Sequence, residues 1–202
     1  MKKLTILLLI FSTFLLASCD KGPKENPIVT MKIKDYGTIK IELYPKIAKN
    51  TVANFVNLVE EGFYDNNTFH RLVKGFVLQG GDPTATGQGG PGYSIMGEFS
   101  LNGYDNDLSH TTGIVSMARN QNPDSAGSQF FIMLSDNYTS TLDGSYAAFG
   151  KVIKGMDIIK KIEKADLELT DKEMGILKEP LTIEKATVDT KGYDYKVKKI
   201  EN

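Results

Sequence analysis

Alternation of apolar and polar residues predicts a series of short β-strands from residue 29 onward. Two such segments, Val29–Ile33 and Thr38–Leu43, are separated by Asp35-Tyr36-Gly37, which is typical of a hairpin turn. Similar runs recur further on, bounded by Gly, Asn, Asp and Pro residues that favour turns. They are Thr68–Val73, Phe76–Gln79, Gly113–Ala118, Gln129–Leu134, Ala147–Val152 and a last segment within Leu181–Val188.

Two other stretches have the spacing of an amphipathic helix. The first repeats apolar residues at i, i+3, i+4 and i+7, with Asn50 or Thr51 as its cap and Gly62 as its end, and the second is Met156–Glu163. Their apolar residues are Val52, Phe55, Val56 and Val59 in the first helix and Met156, Ile159 and Ile162 in the second. Many short strands with two helices predict an all-β barrel rather than alternating β-α-β units.

The N-terminal residues have the pattern of a targeting signal. A basic head, Met1-Lys2-Lys3, precedes the mostly apolar run Leu4–Leu16, which is shorter than the roughly 17–25 residues of a membrane-spanning helix. We therefore predict a signal peptide over residues 1–18. Residues 19–27 are polar and contain two Pro, which indicates a tether, and a domain over residues 28–190 follows. The charged tail, residues 191–202, is interpreted as an edge strand or a loose end.

The end of the signal, Leu16-Ala17-Ser18-Cys19, resembles the lipobox of bacterial lipoproteins. In that class the signal is cut before the Cys, and a diacylglycerol is attached to its sulfur. The resemblance implies lipidation of Cys19 and a membrane-anchored protein of the cell envelope that faces outside the cytoplasm. An ordinary secretory signal with an incidental Cys, or a buried core helix, are the alternatives.

Composition excludes several function classes. The chain has 24 Lys and Arg against 25 Asp and Glu, so it lacks the surplus of positive charge with which nucleic-acid binders neutralise phosphates. A single Cys excludes an internal disulfide framework and a thiolate zinc site. Two His without paired carboxylates or further Cys predict no metal site, and we expect no cofactor.

Two motifs suggest other chemistry but are explained more simply. Residues 87–92 match the G-x-G-x-x-G dinucleotide fingerprint, but Pro91 interrupts it and no helical period follows, so we interpret it as a flexible surface loop. A serine hydrolase would need a His and an acid beside Ser116 or Ser128, and we predict no such relay because His70 and His110 are the only His residues.

Three segments carry a more specific signal. They are Phe69–Asp82 (FHRLVKGFVLQGGD), Ser116–Arg119 (SMAR) and Ala126–Ile132 (AGSQFFI). Alternation along a strand places Val77 with Gln79, and Gln129 with Phe131, on one face, while the residues between them fill the core. With Leu142-Asp143-Gly144 and residues 149–152 (FGKV), these segments resemble the cyclophilin-type peptidyl-prolyl cis/trans isomerases over roughly Ile28 to Thr190.

This resemblance implies a closed eight-stranded antiparallel β-barrel capped by two α-helices, with the substrate groove on the outside. It implies that Arg71 is the catalytic residue and that the walls of a proline pocket are formed by Phe76, Phe131 and Leu142. It also implies that the substrate backbone is positioned by Gln79 and Gln129 and that Ala118 lies at the floor of the groove. Four matched positions depart from the common residue: Val77 replaces Met, Arg119 replaces Asn, Thr141 replaces Trp and Tyr146 replaces His.

The departures predict modest effects on turnover. Val77 and Tyr146 keep the pocket lined, and position 119 offers mainly its backbone to the peptide. The Trp that Thr141 replaces helps to grip cyclosporin, so the resemblance does not imply strong inhibition by that drug. The spacing before Gly127 and before Leu142 also differs from the family by a residue or two.

The combined prediction is an isomerase of Xaa-Pro bonds that assists the folding of exported proteins at the cell envelope. Its partners are proline-containing polypeptides and, through the lipid, a membrane, and the protein is expected to be a monomer. The alternative is a non-catalytic surface lipoprotein of the same fold that binds proline-containing peptides. Such a binder has no need of Arg71 as a donor to the transition state.

Overall fold

The computed structural model describes residues 22–201, so the signal peptide predicted over residues 1–18 and the lipidation predicted at Cys19 lie outside the described residues. The strands are β1 (Ile28–Ile33), β2 (Gly37–Leu43), β3 (Thr68–Val73), β4 (Val77–Asp82), β5 (Tyr93–Ser94), β6 (Ile114–Met117), β7 (Phe130–Met133), β8 (Ala148–Lys154), β9 (Leu169–Asp171), β10 (Ile176–Asp189) and β11 (Ile200–Glu201). The helices are α1 (Lys49–Glu60), α2 (Thr139–Leu142) and α3 (Met156–Lys164), and a 3₁₀ turn covers Ser100–Asn102. Among the helices of residues 22–201, none has the length and apolar character needed to cross a bilayer.

Eight strands close into an antiparallel barrel. The order of neighbours is β1-β2-β8-β6-β7-β4-β3-β10, and β10 pairs back with β1 from Ile28 opposite Asp189 to Ile33 opposite Ile183. The predicted all-β class and closed barrel are therefore confirmed. The short strand β9 pairs only with β10 as an extension of the sheet, and β5 with β11 forms a separate two-stranded sheet. Closure leaves the eight barrel strands without an exposed edge.

Aromatic residues fill the interior and join α1 to the barrel. Phe55 of α1 is fully buried, and its ring centroid lies 5.0 Å from those of Tyr64 and Phe149 and 5.2 Å from that of Phe130. Such pairs contribute about 0.5–1.5 kcal/mol each beyond the burial of their area. The predicted apolar face of α1 is thus the face that packs, and α3 packs in the same way through Ile159 and Ile162, both of which are fully buried.

The start of α1 corrects one prediction. The helix begins at Lys49, and no side chain of its own caps it, so the expectation that Asn50 or Thr51 supplies the cap is wrong. The carboxylate of Glu98 takes this role: Oε1 accepts the backbone N–H of Asn50 at 2.9 Å, and Oε2 accepts that of Thr51 at 2.7 Å. A buried anion at the positive end of a helix dipole is favourable, and here it ties a distant loop to α1.

Several short elements were not predicted. The one-turn helix α2 and the strands β5, β9 and β11 contain two to four residues each, too few to show a period. Strand β10 also begins at Ile176, before the predicted segment. The tail packs on the domain, since Tyr195 is buried and Asn57 Nδ2 donates to its carbonyl at 2.8 Å, but among residues 191–201 only the end, β11, is a strand, which pairs with β5.

Candidate functional site

A single cross-strand row brings the predicted site residues together. Directly paired residues of antiparallel strands point to the same face of a sheet. Arg71 of β3 lies opposite Gln79 of β4, Gln79 lies opposite Phe131 of β7, and Phe131 lies opposite Ser116 of β6. Leu78, Phe130 and Ile132, which alternate with these residues, are fully buried in the barrel core. The row therefore lies on the outer face of the barrel, as the alternation predicted.

The guanidinium of Arg71 is fixed by two neutral partners. Its Nε donates to the carbonyl oxygen of Met174 at 2.7 Å, and its Nη1 donates to Oε1 of Gln79 at 3.0 Å. Burial lowers the pKa of Arg71, with Tyr146 acting in the opposite direction, yet a guanidinium keeps its proton in proteins. No carboxylate within residues 22–201 forms an ion pair with it. The site thus holds an oriented, uncompensated cation with N–H groups left for a ligand.

The hydrogen-bond chain continues through both glutamines into the glycine-rich loop. Gln79 Nε2 donates to Oε1 of Gln129 at 3.0 Å, and Gln129 Nε2 donates to the carbonyls of Gly87 and Gly89 at 3.0 and 2.9 Å. Both N–H groups of the Gln129 amide are therefore engaged within the protein. In this geometry the two glutamines orient Arg71 and the loop.

The loop of residues 87–92 is organised around the carboxylate of Asp82. Its Oδ2 accepts the backbone N–H groups of Gly87 and Gly89, and its Oδ1 accepts that of Thr84. Burial alone would raise the pKa of Asp82, but these hydrogen bonds outweigh burial and lower it. The loop leads into strand β5 and not into a helix, so the geometry of a dinucleotide site is missing from this part of the described chain.

Beside Arg71 an apolar cluster separate from the barrel core forms a pocket. Its members are Phe76, Val77, Leu108, Ile114, Ala118, Phe131, Met133, Leu142, Tyr146 and Ala148. The ring of Tyr146 meets that of Phe131 edge to face, with centroids 5.8 Å apart. All six predicted apolar site residues, Phe76, Val77, Ala118, Phe131, Leu142 and Tyr146, belong to this cluster.

The side chain of Arg119 supports this pocket from outside. Its guanidinium lies between two rings, 5.0 Å from the centroid of Phe99 and 4.7 Å from that of Tyr146. Nε and Nη2 both donate to the carbonyl of Ser145, at 3.0 and 2.8 Å, and Nη1 donates to that of Asn120 at 2.8 Å. With its charge over two aromatic faces and three hydrogen bonds made, this side chain stabilises Tyr146.

A polar groove adjoins the apolar pocket. It has a volume of about 780 Å³ and runs between the loop of residues 87–92 and the segment of residues 118–129. Gln79, Ala118 and Gln129 lie on its border with the pocket. An extended peptide whose apolar ring occupies the pocket therefore has a polar channel beside it for its neighbouring residues.

The prediction that Ser116 lacks a His and acid relay is wrong. His110 Nδ1 lies 2.8 Å from Oδ1 of Asp143, and its Nε2 lies 3.0 Å from the hydroxyl of Ser116. Because the carboxylate only accepts, Nδ1 carries the proton and Nε2 accepts from Ser116. Burial lowers the pKa of His110, and Asp143 only partly offsets this. Ser116 is fully buried and His110 is 1% exposed, so the relay braces β6 against the loop after Leu142 and is closed to a substrate.

Sequence reasoning missed some of the pocket. Met133 is two residues beyond Phe131 on the same strand, so alternation could have placed it there. Ile114 and Ala148 come from strands whose register the sequence does not reveal. Tyr138, whose ring lies against Phe76, comes from the irregular segment before Leu142 and has no periodic signal. Among residues 22–201, no three His, Cys, Asp or Glu side chains are grouped to hold a metal ion.

Comparison with known proteins identifies the family. A family model described as "Cyclophilin type peptidyl-prolyl cis-trans isomerase/CLD" matches residues 28–188. A peptidyl-prolyl cis-trans isomerase of Arabidopsis thaliana is 43% identical over 147 residues, which are 72% of this chain and 86% of that protein. Peptidyl-prolyl cis-trans isomerase B of Bacillus subtilis is 44% identical over 135 residues, 67% of this chain and 90% of that protein.

A solved structure supports the same family assignment. The crystal structure of a cyclophilin-type peptidyl-prolyl cis-trans isomerase of Cryptosporidium parvum is similar with a TM-score of 0.70 and 31% identity, over 81% of this chain and 98% of that chain. The same protein has also been crystallised in the presence of the dipeptide Ala-Pro. The chain belongs to the cyclophilin-type peptidyl-prolyl cis-trans isomerase family, and its enzyme class is peptidyl-prolyl cis-trans isomerase.

Proposed function

We propose that the protein is a lipid-anchored isomerase of Xaa-Pro bonds that assists the folding of exported proteins at the cell envelope. The observation that carries the catalytic part is the position of Arg71, a fixed and uncompensated guanidinium in the same cross-strand row as the pocket residue Phe131. The reaction makes and breaks no covalent bond, so neither a nucleophile nor a titrating group is needed.

Arg71 acts on the state in which the peptide bond is half rotated. Resonance gives the C–N bond partial double-bond character and a barrier of about 18–20 kcal/mol. In the twisted state the lone pair returns to the prolyl nitrogen, which then accepts a hydrogen bond that it cannot accept in the planar state. An interaction present only in the twisted state lowers the barrier. A hydrogen bond from a charged donor contributes about 1.5–3 kcal/mol, or about ten- to 150-fold in rate.

The apolar cluster supplies the rest by holding the proline ring. Phe131 and Leu142 are each only 5% exposed, and Phe76 packs against them. A ring in this pocket is removed from water, and its N-terminal amide is left beside Arg71 as one side of the bond turns. Fixing the reacting group next to its donor in this way removes much of the entropic cost of the encounter. The substrates are therefore polypeptides with accessible Xaa-Pro bonds.

An anchor at the N-terminus would leave the groove accessible. Strand β1, which follows the tether, lies four strands from β7 in either direction around the eight-stranded barrel. The chain therefore enters the domain on the side opposite Phe131. A protein anchored through Cys19 would present its groove away from the membrane, where exported polypeptides can bind. The tether of residues 19–27 reaches at most about 30 Å, which keeps the groove close to the envelope surface.

The catalytic proposal is tested by replacing Arg71. We expect Arg71→Ala to keep the unfolding midpoint and to lose at least about tenfold in kcat/KM on an Ala-Pro peptide in a protease-coupled assay. Lys74→Ala removes an exposed cation from the same hairpin and serves as the matched control, with unchanged turnover. Equal turnover of wild type and Arg71→Ala would remove Arg71 from the mechanism. Peptide binding by the wild type without catalysis would indicate the non-catalytic binder instead.

The anchor is tested separately. Cells that express the full chain are grown with a radioactive fatty acid, and we expect label on the wild-type protein and none on Cys19→Ala. We further expect the labelled protein in the membrane fraction and the variant outside it. Label that persists in Cys19→Ala would refute lipidation at this residue while leaving the isomerase proposal untouched.

A further inference from the structure

The apolar pocket has an exposed aromatic extension. The ring of Tyr138 lies on that of Phe76, with centroids 4.3 Å apart and planes inclined by 43°. Phe76 packs against the pocket cluster, whereas Tyr138 is 41% exposed. One side of the Tyr138 ring therefore covers Phe76, and the rest of the ring extends the apolar surface of the pocket into solvent. An exposed aromatic ring at the edge of a pocket can stack on an aromatic group of a ligand that occupies the pocket.

The segment that presents Tyr138 is held on both sides. Before it, the Ser135 hydroxyl donates to the carbonyl of Gly75, the residue adjacent to Phe76. After it, the Thr139 hydroxyl donates to the carbonyl of His110 at 2.9 Å. These bonds connect the segment to the turn between β3 and β4 and to the loop before β6. The backbone of Tyr138 is thus fixed, and its ring needs little ordering when a ligand binds, which reduces the entropic cost of the contact.

The same residue also begins the turn that carries a pocket wall. The Tyr138 carbonyl accepts the N–H of Thr141 at 3.0 Å and that of Leu142 at 3.1 Å. Leu142 is buried in the pocket cluster. Tyr138 and Leu142 therefore occupy the two ends of one rigid turn, with Phe76 in contact with both the cluster and the Tyr138 ring. A ligand in the pocket has this ring at its edge.

We propose that Tyr138 is a specificity-determining residue that binds an aromatic side chain next to the proline of the substrate. The inference rests on the proposed isomerase function, which supplies the proline ring in the pocket. A neighbouring aromatic residue stacks on the exposed part of the Tyr138 ring, as aromatic pairs do at centroid distances of about 4.5–7 Å. Small neighbouring residues gain nothing from the ring. The protein therefore favours Xaa-Pro sites with an adjacent aromatic residue over those with Gly.

The test compares selectivity within each variant. Full-length protein in detergent is assayed on two sets of peptides, with Phe or Gly before the proline and with Phe or Gly after it. We expect the wild type to show a lower KM for Phe than for Gly in one of the two sets, and Tyr138→Ala to reduce that ratio by about two- to tenfold. Tyr138→Phe keeps the ring and is expected to keep the ratio. Tyr36→Ala, in the distant β1–β2 hairpin, is the control and leaves the ratio unchanged.

A purely structural role would change different quantities. If Tyr138 only covers Phe76, Tyr138→Ala lowers the unfolding midpoint or kcat equally for Phe and Gly peptides, and that result overturns the inference. A wild-type ratio of one in both sets, or loss of the ratio in Tyr138→Phe, also overturns it. Absence of isomerase activity in the wild type would instead refute the proposed function, so the two failures are distinguishable.

Discussion

Gly175 controls the orientation of Arg71, although the two residues are far apart in sequence. It follows Met174, whose carbonyl accepts the hydrogen bond from Arg71 Nε at 2.7 Å. The Gly175 carbonyl accepts the N–H of Leu72 at 2.8 Å, so this turn is bonded to β3 directly beside Arg71. Gly175 has a φ of +74°, and a Cβ at this position would lie 2.4 Å from the Leu72 carbonyl oxygen. Glycine is therefore required for both conformation and space.

Substitution of Gly175 by Ala should release Arg71 without removing it. An ordinary contact of 3.4 Å in place of 2.4 Å requires a shift of about 1 Å between the turn and β3. The same shift takes the Met174 carbonyl out of hydrogen-bond distance of Nε, since N–H···O bonds weaken beyond about 3.2 Å. If the Arg71 guanidinium then no longer donates to the prolyl nitrogen, the stabilisation of the twisted state falls by about 1.5–3 kcal/mol. This corresponds to a decrease of about ten- to 150-fold in kcat/KM.

Gly192 offers a matched control for backbone strain. It also has a φ of +74°, but nothing lies within 4 Å of its virtual Cβ. Both Ala variants carry the strain of a left-handed residue, about 1–2 kcal/mol, and Gly175→Ala carries the clash with the Leu72 carbonyl in addition, so its unfolding midpoint in urea should be the lower of the two. We expect only Gly175→Ala to lose kcat, with KM nearly unchanged, and to shift the NMR resonance of the Arg71 Nε–H. Equal activity of the two variants, or full activity with a shifted resonance, would refute this reasoning.

Two further predictions concern the support of the pocket by Arg119 and the buried His70. Arg119→Ala should lower kcat/KM a few-fold because Tyr146 loses a cation–π contact of about 0.5–2 kcal/mol. Lys161→Ala removes a 5.7 Å contact with Tyr36 and should leave kcat/KM unchanged. Unchanged kinetics and an unchanged unfolding midpoint in Arg119→Ala would contradict the role of Arg119 in supporting Tyr146. Burial lowers the pKa of His70 below its ordinary 6.5, with Asp82 partly opposing this. Below about pH 6.5 His70 is therefore protonated in the unfolded chain but still neutral in the folded protein. The contribution of His70 to the free energy of unfolding is fully present above that pH and is lost as the pH falls. We expect the thermal unfolding midpoint to decrease as the pH is lowered from about 7.5 to 5.5, and to decrease less in His70→Leu. Parallel plots of midpoint against pH for the two proteins would exclude His70 as a source of the pH dependence.

Much of the barrel was predictable because strand and helix periods are local properties. The alternation in Val29–Ile33, Thr68–Val73 and Gln129–Leu134 marks strands that the structure confirms within a residue or two. The apolar spacing of α1 identified its buried face for the same reason. Each of these signals is contained in a window of a few residues, so no knowledge of the partner strand is needed.

The site residues were identified through motifs, and their tertiary arrangement supplied the chemistry. Arg71 and Gln79 share a hairpin, so their proximity follows from a short turn. That Phe131 joins them depends on the register of β4 with β7, which are about 50 residues apart in sequence. A register shift of one residue would turn Phe131 into the core.

The sequence by itself determined which segments form strands, which face of α1 is buried and to which family the motifs belong. Only the tertiary structure decided that the Met174 carbonyl fixes Arg71, that the Arg119 guanidinium stacks on Tyr146 and that Glu98 caps α1. The physical reason is that each of these contacts joins residues from different elements. Their distances are set by strand register and loop closure, which no local pattern of apolar and polar residues encodes.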